Sequence, residues 1–277
     1  MLLYKNTFQN IKRLNCDFPI EDQFYADDNI AIIADGITRD PIGISDFSKY
    51  TKQEWLYKYP RPSGATLAAK VCCDEFKKAT GTLKDKLIKS NKQIKKINDK
   101  YIKKCDYLEN DYYGTVASCI RIDNYKLDYA YISDCGVIIY DKNGNIKFQT
   151  EDDHELYSTP YTRKLGMPWN LPETRVIVRR DYRNNLNNIK DGRCISYGAL
   201  TGEESAVEFI REGQVDLEKN DTVILYSDGF KNYLHDEDFI NHIIIFSKEE
   251  FEYYLDKKSN LNSDIYGEEK TIIIYKI

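Results

Sequence analysis

The chain has 277 residues, of which 42% are hydrophobic and 31% charged, a globular composition that excludes wholesale disorder. Its 40 Lys and Arg are outnumbered by 45 Asp and Glu, giving a net charge of −5, so we expect no nucleic-acid partner. No stretch reaches the ~20 apolar residues of a membrane helix, and the N-terminus lacks the apolar core of a signal peptide. We therefore expect a cytoplasmic protein without membrane contact.

The cysteine and histidine content argues against disulfides and zinc. Seven cysteines form an odd set without a Cys-x-x-Cys pair, and the chain has only three histidines. These cysteines and histidines do not have the spacing that is typical of zinc ligands. We expect reduced cysteines that mostly fill the core.

The first predicted elements are a strand and two helices. Ile30–Ala34 is a continuous apolar run, typical of a strand buried on both faces. Ser63–Ala79 has apolar residues at helical spacing, with Ser63 as the expected N-cap. Thr82–Leu108 is a second amphipathic helix with a Lys-rich face. That face predicts a solvated outer surface, with a docking surface for an acidic partner as the alternative.

The remaining apolar runs predict strands and a hairpin. Asn143-Gly144 between two apolar runs indicates a hairpin turn, because both residue types tolerate positive φ. No linker or internal repeat interrupts the chain, so we expect one α+β domain over residues 1–277, in which helices pack on antiparallel sheets. The further strands are predicted at Leu127–Ser133, Gly136–Tyr140, Ile146–Gln149, Thr222–Ser227 and Thr271–Tyr275.

Acidic residues stand where these apolar runs begin or stop. Carboxylates that converge at strand ends raise each other's pKa and destabilise the fold unless a cation neutralises them. An oxygen-only set suits Mg²⁺ or Mn²⁺. The alternative is that each Asp-Gly is an ordinary turn. The residues concerned are Asp22, Asp35, Asp134, Asp228 and the pair Glu268-Glu269.

The same places carry a resemblance to a known family. The sequence resembles the type 2C metal-dependent protein phosphatases over about residues 20–277, in segments that follow the family's order. This resemblance implies a four-layer α-β-β-α sandwich, with two antiparallel sheets flanked by helices and a variable flap near residues 151–205. The segments are IEDQFYADDNIAIIADG, SGATLAA, YGTVASCIRIDNYKLDYAYISDCGVIIYDKNGNI, QTEDDHE, LEKNDTVILYSDGF and GEEKTIIIY.

The resemblance also implies roles for single residues. Asp22, Asp35 and Asp228 would be the catalytic carboxylates that hold two core Mn²⁺ or Mg²⁺ ions, with Glu21 supporting them. Asp134 would help to hold a possible third ion. The full metal set would be Asp22, Asp35, Gly36 through its carbonyl, Asp134, Asp228 and Glu268.

The implied activity is hydrolysis of phosphoserine and phosphothreonine in a protein substrate, and we expect the enzyme to be a monomer. A water held between the two metals would become hydroxide near neutral pH and attack phosphorus. At the position five residues before the first aspartate, where the family carries an Arg, this chain has Asp17. The segment DGITRDP also lacks the family's His. Arg13 and Arg39 are the substitutes that we predict to bind phosphate.

These departures leave two alternatives open. One is a catalytically weakened relative that serves as a metal-binding, sensor or interaction module. The other is a nuclease that uses the same acidic metal chemistry, which the net charge disfavours. His154 and the arginines between residues 163 and 183 could contact substrate, but packing and solvation are the simpler expectations.

Overall fold

Two five-stranded antiparallel sheets form the centre of the protein. The computed structural model describes residues 1–11, 19–38, 51, 53–54, 57, 59, 61–154, 166–167 and 171–277. One sheet has the spatial order β1-β12-β11-β6-β7 and the other β10-β5-β4-β3-β2. In chain order the strands are β1 (Leu2–Phe8), β2 (Gln23–Ala26), β3 (Ile30–Gly36), β4 (Thr115–Asp123), β5 (Lys126–Ile132), β6 (Gly136–Tyr140), β7 (Ile146–Gln149), β8 (Ile189–Lys190), β9 (Arg193–Cys194), β10 (Arg211–Asp216), β11 (Thr222–Tyr226) and β12 (Lys270–Lys276).

Helices cover the outer face of each sheet. The first two pack on the sheet that contains β3, and the fourth and fifth pack on the sheet that contains β11. The α+β sandwich with four layers is therefore confirmed. The helices are α1 (Gly64–Lys78), α2 (Leu83–Tyr101), α3 (Pro172–Asp181), α4 (Glu237–Ile244), α5 (Lys248–Leu261) and α6 (Ser263–Tyr266).

Three apolar cores separate the four layers. Because side chains alternate along a strand, one strand can contribute residues to two of these cores. On β12, Ile272 and Ile274 lie in the core under α4 and α5, whereas Ile273 and Tyr275 lie in the core between the sheets. Both faces are therefore apolar, as the uninterrupted run of β12 predicts. The edge of this inter-sheet core is where the acidic strand ends meet.

The helix termini explain one correct and one wrong prediction. Ser63 caps α1 as expected, accepting a hydrogen bond from the backbone of Thr66. The second helix was predicted to reach Leu108 but ends at Tyr101. Beyond it, the Asp106 carboxylate accepts the backbone N–H groups of Leu108 and Asn110 and offers the chain a turn instead of a helix.

The Lys-rich face of α2 is mostly open to solvent, with one exception. Lys92, Lys95 and Lys96 are exposed. Lys86 is buried, and its ammonium group donates to the backbone carbonyl oxygens of Phe76 and Ala79. This lysine therefore stabilises the C-terminal end of α1, where the helix dipole favours a cation.

The structure also bears on membrane and redox expectations. Within the described ranges, none of the helices combines the length and apolar character that a membrane span needs. The six described cysteines are all free thiols, and four of them are buried. They are Cys72, Cys73, Cys105, Cys119, Cys135 and Cys194.

Candidate active site

Carboxylates from both sheets lie at one edge of the inter-sheet core. Asp35 is near the end of β3 in one sheet, and Asp228 follows β11 in the other. Asp22 precedes β2 and is buried, and Asp134 follows β5 with its side chain 16% exposed. The fold places these acidic residues at the same edge of the two sheets, and their roles as metal ligands stay predictions.

These carboxylates shift one another's pKa values. Burial raises the pKa of Asp22 above its usual value, and the charge of Asp134 raises it further. Burial raises the pKa of Asp35 well above its usual value, and Asp22, Asp228 and Asp134 raise it further. Burial and then Asp134 raise the pKa of Asp228 to about 7. Such mutual repulsion is what a bound divalent cation would relieve.

Two hydroxyl groups hold Asp22 in place. Its Oδ2 accepts hydrogen bonds from Ser227 Oγ at 2.8 Å and from Thr271 Oγ1 at 2.6 Å. Both donors are buried at strand ends of the opposite sheet. Sequence reasoning assigned neither residue to the site, although each hydroxyl lies within three positions of an acidic residue at a strand end.

Glu21, next to Asp22 in the chain, accepts hydrogen bonds from three separate segments. Its buried carboxylate accepts hydrogen bonds from Tyr59 at 2.5 Å, from Thr38 at 2.5 Å and from Ser63. Ser63 is also the N-cap of α1, so the helix start and the Asp22 segment are joined through one carboxylate. Glu21 therefore acts on the site by positioning it.

The two Asp-Gly pairs are explained by close approach of the backbone. A Cβ atom on Gly36 would lie 2.8 Å from the Glu21 carbonyl oxygen and 2.9 Å from the backbone of Ala65. On Gly229 it would lie 2.1 Å from the Glu269 carbonyl oxygen. Neither glycine has the positive φ of a glycine turn. Glycine at these positions lets the two Asp-Gly segments pack directly against their neighbours.

Glu268 and Glu269 have different surroundings. Glu269 Oε1 accepts the backbone N–H groups of Glu21 at 2.7 Å and Asp22 at 2.6 Å. Burial and then the Asp22 charge raise the pKa of Glu269 to about 8. Glu268 is among the charges that raise the pKa of Asp228. Because β12 begins only at Lys270, strand alternation does not assign either glutamate to a face.

We expect Glu268→Gln to raise the Mn²⁺ concentration for half-maximal rate well above that of Glu269→Gln. Glutamine at position 269 keeps an oxygen that can accept both backbone N–H groups, whereas glutamine at position 268 removes the charge of the residue that we predict to be the ligand. Mn²⁺ titrations of phosphate release would measure the difference. A larger effect of Glu269→Gln would place the last ligand one residue later than predicted.

Lys231 contributes a cation beside the acidic group. Its Nζ pairs with Asp152 and lies 3.7 Å from Asp134 Oδ2. Burial alone would lower the pKa of Lys231, but the charges of Asp134, Asp228 and Asp152 outweigh it and raise that pKa. No motif in the sequence predicts that this lysine lies at the site.

The arginines near the flap have structural partners. Arg183 makes a bidentate pair with buried Asp111 at 2.6 and 2.8 Å, and Arg179 lies 3.5 Å from the same carboxylate. Arg180 pairs with Asp181. Arg13 and Arg39, the predicted phosphate-binding residues, lie outside the described residues. The His154 ring packs edge-on against Tyr197 at 4.9 Å, consistent with the packing role.

The chemistry of the donors fits a hard divalent cation. Carboxylate oxygens are the ligands that Mg²⁺ and Mn²⁺ prefer, and the site's aspartates repel one another. In the part of the chain that the structure covers, however, no three or more His, Cys, Asp or Glu side chains are already grouped as a metal-binding cluster. The individual ligand assignments therefore remain predictions.

Comparison with solved structures identifies similar folds along nearly the whole chain. The Mycobacterium tuberculosis serine/threonine phosphatase PstP/Ppp is 16% identical with a TM-score of 0.59, over 99% of this chain and 98% of that one. A PstP catalytic domain in complex with two manganese ions is 15% identical with a TM-score of 0.59, over 99% and 97%. RsbX in complex with magnesium is 13% identical with a TM-score of 0.53, over 100% and 98%.

Sequence comparison adds no further match. No protein-family model matches the chain, and no curated protein matches it. At the identities above, the likeness concerns the fold. The chain therefore has the fold of the type 2C serine/threonine phosphatases, as the sequence motifs implied.

Proposed function

We propose that the protein is a metal-dependent phosphatase that hydrolyses phosphoserine and phosphothreonine in protein substrates. The observation that carries this proposal is that the fold places Asp22, Asp35 and Asp228 from two sheets at one edge, with pKa values raised by burial and by neighbouring carboxylates that include Asp134. A protein gains nothing in stability from such repulsion, so the arrangement indicates a bound cation. The fold shared with serine/threonine phosphatases supports the reaction class.

Two Mn²⁺ or Mg²⁺ ions would be held by Asp22, Asp35, Asp228, Glu268 and the Gly36 carbonyl. Bound there, they would supply an activated water and neutralise phosphoryl oxygens. Ser227 and Thr271 keep the Asp22 carboxylate fixed toward the site, and Glu21 holds the surrounding loops. Fixed ligands reduce the reorganisation that the reaction would otherwise require. Two solved structures with a similar fold, one in complex with manganese and the other with magnesium, support the choice of ion.

We further propose a cytoplasmic, monomeric protein. The free cysteines support a reducing compartment, where disulfides are rare. Cell fractionation and size-exclusion chromatography with light scattering would test the two points separately.

A substrate panel tests the proposed activity. With Mn²⁺, the protein should release phosphate from a small aryl phosphate and from a phosphothreonine peptide, and it should leave single-stranded DNA intact. Degradation of the DNA without phosphate release would replace the phosphatase with a nuclease. Mn²⁺ binding without any turnover would support a weakened metal-binding module, which the absence of the family's Arg and His favours.

A further inference from the structure

Lys231 occupies a fixed place next to the predicted metal ligands. It follows the short 3₁₀ turn Asp228–Phe230, and its backbone N–H donates to the Asp228 carbonyl at 2.9 Å. The side chain is only 31% exposed. The backbone position of Lys231 is therefore set by the same turn that sets Asp228.

The ammonium group lies between two carboxylates on the outer side of the acidic group. It pairs with Asp152 and lies 3.7 Å from Asp134 Oδ2. The residues on either side of Asp152, Glu151 and Asp153, instead pair with Arg211, each at 2.5 Å. Arg211 thus pairs with Glu151 and Asp153, whereas Lys231 pairs with Asp152 and lies beside Asp134.

The neighbourhood thereby separates into an inner and an outer carboxylate set. The inner set is Asp22, Asp35 and Asp228. Among the described residues none of these three makes an ion pair, although the Lys231 charge lowers the pKa of Asp228 from a longer distance. The outer set is Asp134 and Asp152, which face Lys231. A lysine at its ordinary pKa is charged at neutral pH. A divalent cation at the outer set would therefore meet a like charge at close range.

We propose that Lys231 is a built-in cation for Asp134 and Asp152, which takes the place of a metal ion there and confines metal binding to the inner set. The inference rests on the proposed function in one respect, namely that metal ions bind at the inner set. It differs from the sequence expectation of a third ion at Asp134, because the lysine and that ion compete for the same carboxylate. Turnover would then depend on two ions rather than three.

Metal stoichiometry tests this directly. Mn²⁺ binding would be measured by equilibrium dialysis and calorimetry for the intact chain, Lys231→Met, the charge-preserving control Lys231→Arg, and Lys231→Met with Asp134→Asn. We expect Lys231→Met to bind one Mn²⁺ more than the parent chain, with an affinity at that site at least tenfold higher than in Lys231→Arg. The double variant should lose the added ion. Thermal melting would establish that every variant is folded.

Two results would overturn the inference. One is an unchanged Mn²⁺ count in folded Lys231→Met, and the other is a third ion in the parent chain that Asp134→Asn removes. These outcomes are distinct from failure of the proposed function. If the parent chain bound no Mn²⁺ but Lys231→Met gained one ion that depends on Asp134, the role of Lys231 would stand and the inner metal site would not.

Discussion

Replacing Asp35 or Asp228 with asparagine should lower kcat by roughly 10²–10³-fold or more while the protein stays folded, since removal of one preorganised electrostatic group from an active site costs about that much. Each substitution removes a ligand charge that the bound ions need. The same change removes a source of repulsion at the inner carboxylates. The metal-free variants should therefore melt at a temperature equal to or above that of the parent chain.

Asp28→Asn is the matched control. Asp28 is exposed and near the start of the same strand as Asp35, so the chemical change is identical but lies away from the site. Steady-state kinetics with a phosphothreonine peptide and melting curves in EDTA would be recorded for all three variants. Near-parent rates for both Asp35→Asn and Asp228→Asn would show that these residues only form turns.

The metal-free protein should lose stability as the pH rises from about 5 to 8. The folded state raises the pKa of Asp228 from 3.8 to about 7 and that of Glu269 from 4.5 to about 8, by burial and neighbouring charge. Both groups thus bind a proton more tightly in the folded chain than in the unfolded one. Their contribution to stability is present below pH 4 and is lost as the pH passes the folded pKa values.

Melting temperatures in EDTA at pH 5.5 and 8 would measure this loss, which should amount to several degrees for a chain of this size. Asp228→Asn should reduce the pH dependence, and Asp28→Asn should leave it unchanged. Saturating Mn²⁺ should remove most of it, because a ligand that binds the ionised folded form stabilises that form. A metal-free melting temperature that rises over this interval would contradict the assigned repulsion.

The sequence was most informative where a strand is an uninterrupted apolar run. Gly136–Tyr140 was predicted with its observed bounds, and Thr222–Ser227 and Thr271–Tyr275 differ from β11 and β12 only at their ends. Strand β1 was missed, because Leu2–Phe8 mixes polar and apolar residues without a clear period. Its pairing with β12 joins residues more than 260 positions apart, which local periodicity does not encode.

In the candidate site too, some residues could be predicted from the local sequence and others could not. Acidic residues at strand ends stand out in a sequence, and Asp22, Asp35 and Asp228 were predicted for that reason. The groups that hold them do not stand out. Thr271 reaches Asp22 across 249 positions, and Lys231 becomes a partner of Asp152 only through the fold. Common residues such as serine, threonine and lysine acquire their roles at the site from tertiary contacts.

The central claim is that the inner carboxylates act through bound metal ions. Its most direct test is phosphate release from a phosphothreonine peptide by the purified chain, first stripped of metal and then titrated with Mn²⁺ or Mg²⁺. We expect no turnover in excess EDTA and a saturable recovery with added ion. Full turnover in excess EDTA would contradict the account.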